Sequence, residues 1–130
     1  MARFILTAAS FLGAVAVMLG AFGAHGLKTR LDSYSLDIFQ KGVEYQYYHV
    51  FALLVIGILA TKYSSSLLQW SANFMIAGIL IFSGSLYLLG TKSLLGIESW
   101  SKFLGPITPI GGLFLIVGWM LLCIFAYKNV

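Results

Sequence analysis

Residues 41–52, KGVEYQYYHVFA, run straight into LLVIGILAT at 53–61, and the change of character across that junction decides how the chain folds. Glu44, Tyr45, Gln46, Tyr48 and His49 stand where an apolar run has already begun. Ionisable groups in hydrocarbon are costly, so they turn towards a protein interior or a wet cavity and mark functional candidates. On a helix, spacing of four stacks Tyr45 over His49, and Gly42, Ala52, Ile56 and Ala60 continue that face as a narrow strip. Glu44 and Tyr48 form a second stack on a neighbouring face.

Working outward, three more apolar runs flank this one. The chain has 130 residues, of which 60% are hydrophobic and only 9% charged, and its mean hydropathy is +0.94. Soluble domains carry roughly 25% charged residues, so the composition predicts a single integral membrane domain over 1–130. The net charge of +4 is scattered between apolar runs, which excludes the continuous basic stripe that nucleic-acid binding requires. Cys123, the single cysteine, has no intrachain partner for a disulfide and reads as a small buried hydrophobe.

Residues 4–24 approach the ~20 that a helix needs to cross the hydrocarbon core. Arg3 before them and Ala-Phe-Gly-Ala at their end imitate a secretory leader with its cleavage site; the expectation is that the segment is kept as a span. Ala9, Gly13, Ala16, Gly20 and Ala24 lie on one face and offer a seam for close helix approach. Residues 26–40 read as a polar loop, with Ser35 as N-cap of a second helix over 36–61, of which 43–61 lies in lipid. A turn at 62–69 precedes a third span at 70–90, where Trp70 and Tyr87 fall near opposite interfaces and Ser71, Gly78 and Ser85 recur every seven residues. After a polar loop at 91–105, Thr108 as N-cap and Pro109 at the first helical position open a fourth span at 107–127. Gly111, Gly112 and Gly118 give it a close-packing face.

Four spans with short connections predict an all-α, up-down-up-down four-helix bundle in the membrane, with both termini on one side. Arg3, Lys62 and Lys128 share that side, whereas Lys28, Arg30, Lys41, Lys92 and Lys102 occupy the other. The basic excess places the two polar loops in the cytoplasm and the termini on the non-cytoplasmic side of the cell membrane.

In such a bundle His25, at the end of the first span, shares a leaflet with Glu44, Tyr45, Gln46, Tyr48 and His49. Ser83, Ser85, Tyr87 and Thr108 reach the same leaflet, so a polar cluster is expected there. A metal site would need three or four ligands from His25, His49 and Glu44 alone, and no Glu-x-x-His pair is present. Axial haem ligation by the two histidines would require them to lie level. No nucleophile, base and orienter stand together. The reading therefore assigns no catalytic residue, metal or cofactor and points away from an enzyme.

Four stretches, GAFGAHGL (20–27), EYQYYHVFAL (44–53), FSGSLYLL (82–89) and GPITPIGGLFLIVGW (105–119), resemble the domain-of-unknown-function 423 family, which includes eukaryotic transmembrane protein 256. The resemblance implies a small four-span membrane protein and supplies no activity or catalytic residue. Three functional readings stay open. In the first, the polar cluster binds or passes a small amphiphile, a lipid headgroup or a proton. In the second, the small-residue seams assemble a homo-oligomer or dock a partner. In the third, the protein carries redox, metal or haem chemistry.

Overall fold

The computed structural model describes residues 1–130 and contains no strand. α1 (Ala2–Phe22) runs into a π-helical turn at Gly23–Leu27. α2 (Ser33–Lys62) returns across the molecule. The third span is interrupted: α3 (Ser66–Gly78) and α4 (Gly84–Gly90) are joined by a second π-helical turn at Ile79–Ser83. A short α5 (Lys92–Leu95) and a 3-10 turn at Glu98–Trp100 lead into α6 (Ser101–Asn129). The four spans are each long and apolar enough to cross a membrane, and the architecture is an all-α, up-down-up-down bundle. Phe4, Phe11, Phe51, Phe103 and Leu113 point outward, the arrangement that lipid as solvent favours.

The helix starts differ from the expected ones. Asp32, not Ser35, caps α2: its Oδ1 accepts the Ser35 N–H at 2.7 Å. The helix therefore begins within the stretch expected as loop, and its 30 residues extend about 45 Å. That exceeds a hydrocarbon core of roughly 30 Å, so the first turns stand in the interface. The Ser35 amide also holds the Asp32 carboxyl below the usual carboxylate range. Asp32→Ala is expected to fray the first turn of α2. Acid does the same: the cap contributes fully above the unfolded carboxyl value of about 3.9 and is lost as pH falls through the lower folded value. Hydrogen exchange at the Ser35 amide reads both effects.

α6 begins at Ser101, so Thr108 is no N-cap and Pro106 and Pro109 lie inside the helix. The prolines remove the donors that would serve the carbonyls of Lys102 and Gly105. Both prolines are exposed and sit in the first turns of α6, where water at the interface can serve those carbonyls. Thr108 spends its hydroxyl on the Leu104 carbonyl at 3.0 Å. Cys123 is exposed on the outer face of α6 rather than buried.

Packing runs in series. α1 lies on α2, α2 on α3 and α4, and α6 on the third span, while α1 and α6 form no extended contact. One core joins Ile5, Ala9 and Leu12 to Val50, Leu53 and Ile56, then to Leu68, Ala72 and Met75, and ends at Leu115 and Phe125. The small-residue seams are filled within the chain. Gly13 faces Val50 and Gly20 faces Val43 so closely that an added Cβ would stand only 3.3 and 3.4 Å from the valine methyls; Ala9 and Ala16 are fully buried. The seam continues through Gly23 and Leu27, which are buried, whereas Ala24 is exposed. Gly78 lies against Leu115, Gly118 against Met75 and Gly111 against the backbone of Phe82. The seams thus serve packing within the chain.

Candidate functional site

The polar residues of α2 separate into two groups. Gln46, buried to 2% exposure, faces inward. Its Nε2 donates to the Leu12 carbonyl at 2.7 Å, and its Oε1 accepts the Tyr87 hydroxyl at 2.6 Å. One amide thereby ties α1, α2 and α4 together. Nearby, the Ser83 hydroxyl donates to the Gly42 carbonyl at 2.7 Å. Gly42 leaves room for the Tyr87 ring, because a Cβ there would come within 2.8 Å of it. Ser85 and Thr108 meet hydroxyl to hydroxyl at 2.7 Å between α4 and α6.

The second group faces outward. Glu44 is half exposed, pairs with Lys41 at 3.1 Å and accepts the Tyr48 hydroxyl at 2.8 Å. Beside this ladder, and sharing its Tyr48, lies a lateral groove of about 600 Å³ between α2 and α6. Tyr45, Tyr48 and His49 form one wall and Gly112, Leu115, Ile116 and Trp119 the other, with Phe82 between them. The π-helical turn is what brings Phe82 here. An extra residue per turn shifts the helical phase, and the missing side chain of Gly111 lets α6 lie directly on the Phe82 backbone. The Phe82 ring then packs on Tyr45 at 4.9 Å.

His49 lies at the floor, 6% exposed, about 24 Å of helical rise from the start of α2 and so near its middle. Its Nδ1 stands 2.6 Å from the Tyr45 carbonyl. A carbonyl only accepts, so Nδ1 carries a proton. Trp119 meets the imidazole edge-on at 6.1 Å.

The expected cluster is thus only partly assembled. His49, Tyr45 and Tyr48 share the groove; Gln46 and Tyr87 bond each other in the interior, Ser83 bonds the Gly42 carbonyl, and Ser85 and Thr108 tie helices. His25 is exposed in the first π-helical turn, away from the groove lining. No three His, Cys, Asp or Glu side chains converge. The sequence reading missed Phe82 and Trp119 as groove walls. Trp119 carried a usable signal, since an indole in the middle of a span rather than near its ends needs a local explanation.

Four helices long and apolar enough to cross a membrane, packed around a polar inner network, define a small multi-pass α-helical membrane protein. The chain belongs to the family described as "Protein of unknown function (DUF423)", whose profile matches residues 19–112. It is 42% identical over 114 residues to a UPF0382 membrane protein of Staphylococcus aureus (strain bovine RF122 / ET3-1), covering 88% of this chain and 87% of that one. UPF0382 membrane protein YwdK of Bacillus subtilis (strain 168) is 40% identical over 122 residues, 90% of this chain and 94% of its own. UPF0382 inner membrane protein YgdD of Escherichia coli (strain K12) is 35% identical over 126 residues, 97% and 91% of the two chains. No solved structure matches.

Proposed function

We propose that this protein is a non-enzymatic membrane protein of the cell membrane that holds a small amphiphile from the bilayer in the groove between α2 and α6. The observation that carries this reading is the groove itself: about 600 Å³, mostly apolar and aromatic, with a nearly buried imidazole at its floor. Ligand sites of that size pair an apolar lining with a few placed polar groups. The lateral opening suits a ligand that arrives through lipid rather than through water. The excess of basic residues at the two polar loops supports termini on the non-cytoplasmic side.

Gly112 provides the test. A Cβ there meets Phe82 at 3.7 Å, an ordinary contact, so Gly112→Leu keeps the helix and fills the groove. In phosphatidylcholine nanodiscs, a diazirine-bearing fatty alcohol is expected to label Phe82, Ile116 or Trp119 in the parent chain and to lose most of that labelling in Gly112→Leu. Equal labelling of both chains would refute the site. Homo-oligomerisation is the second reading, and the exposed apolar faces of the helices favour it; cross-linking in native membrane is its measurement.

A further inference from the structure

The groove's floor prescribes the chemistry of what enters it. Because the Tyr45 carbonyl holds the Nδ1 proton of His49 at 2.6 Å, the neutral ring presents Nε2 as a bare acceptor. No protein donor reaches Nε2, and no buried side-chain nitrogen or oxygen in the molecule is left without a partner. Nε2 is therefore accessible, and the opening beside it is the groove. His49 has no carboxylate partner either, since Glu44 is engaged by Lys41 and Tyr48, so an imidazolium here would be a lone charge inside a membrane-spanning helix. In hydrocarbon there is no water to serve an acceptor, and leaving one unmet is costly.

We propose that the groove selects amphiphiles whose buried polar group donates a hydrogen bond: a hydroxyl on an apolar chain, alcoholic or phenolic, with its O–H on His49 Nε2. The inference rests on the groove being a ligand site and adds which ligands it prefers. The hydroxyl oxygen of such a ligand also accepts, and Tyr45 and Trp119, whose rings lie 6.3 and 6.1 Å from the imidazole, bring a hydroxyl and an indole N–H to the same lining. The aromatic walls formed by Tyr45, Phe82 and Trp119 suit a ring as well as a chain.

A matched pair of probes isolates the donor: 4-dodecylphenol and 4-dodecylanisole share the chain, the ring and the acceptor oxygen, and only the phenol has the proton. The chain contains two histidines, and exposed His25 serves as internal reference for 15N-histidine spectra in phosphatidylcholine nanodiscs. The expected result has three parts. His49 shows the Nδ1-protonated tautomer, its Nε2 resonance moves with the phenol and not with the ether, and the phenol displaces the diazirine alcohol from the groove on the order of tenfold more tightly, as one hydrogen bond would give. His49→Phe should abolish that preference while retaining the ring's volume. His49→Gln, whose amide oxygen is again an acceptor, should retain part of it and covers the case in which the phenylalanine variant fails to fold. Displacement by phenol and ether alike would overturn the donor rule while leaving the groove a ligand site. Displacement by neither, together with no labelling by the alcohol, would remove the site and the rule with it.

Discussion

Gly111→Ala is expected to separate α6 from the third span and to collapse the groove. The added methyl would be driven into the backbone N–H and Cα of Phe82, which cannot swing aside as a side-chain tip can. Overpacking a tight contact costs about 1–3 kcal/mol, and the backbone partner puts this site at the upper end. The contact also sets where Phe82 stands, so labelling of the groove should fall together with stability. Unfolding by SDS in mixed micelles, read by helical circular dichroism, measures the first effect; photolabelling measures the second. A variant with unchanged midpoint and unchanged labelling would show that α6 does not rest on the π-helical turn as described. Gly112→Ala, one residue away but facing Phe82 at an ordinary distance, is the matched control and should be close to neutral.

The second large effect is expected at Gln46. Gln46→Leu removes two interhelical hydrogen bonds and leaves the Tyr87 hydroxyl without its partner while the Tyr87 ring stays packed on Phe39, centroids 5.0 Å apart. Interhelical hydrogen bonds in membranes average only about 0.6 kcal/mol, whereas a stranded buried polar group costs about 1–3 kcal/mol. The stranding dominates. Tyr87→Phe should likewise destabilise by leaving the Gln46 oxygen unmet, and the double substitution should cost less than the sum of the two singles. A double-mutant cycle in the same SDS titration gives the coupling; strict additivity would mean that the two side chains do not depend on each other.

Both arguments turn on residues that look unexceptional in the chain. Gly111 was legible as part of a close-packing face and Gln46 as a polar residue in an apolar run, but their partners were not. Phe82 is brought to the groove by a π-helical turn, and neither hydropathy nor 3.6-residue periodicity registers one extra residue in one turn. The caps went astray for a related reason. Ser35 and Thr108-Pro109 are good local starts for a helix, yet Asp32 captured the Ser35 amide, and α6 ran on through its two exposed prolines.

From composition and apolar run length alone came the membrane, the four spans and their alternating direction, because a backbone in lipid must satisfy its own hydrogen bonds and only a helix of sufficient length does so within one segment. The polar face of α2 was equally plain in the order of its residues. Which of those residues work together was decided by tertiary structure. Helical phase, shifted by the π-helical turns, and the side-chain-sized gaps left by glycine determine which atoms of distant helices touch. They turned Gln46 inward to Tyr87, left Glu44 to Lys41 and Tyr48, kept His25 apart, and set His49 with an open Nε2 before a groove.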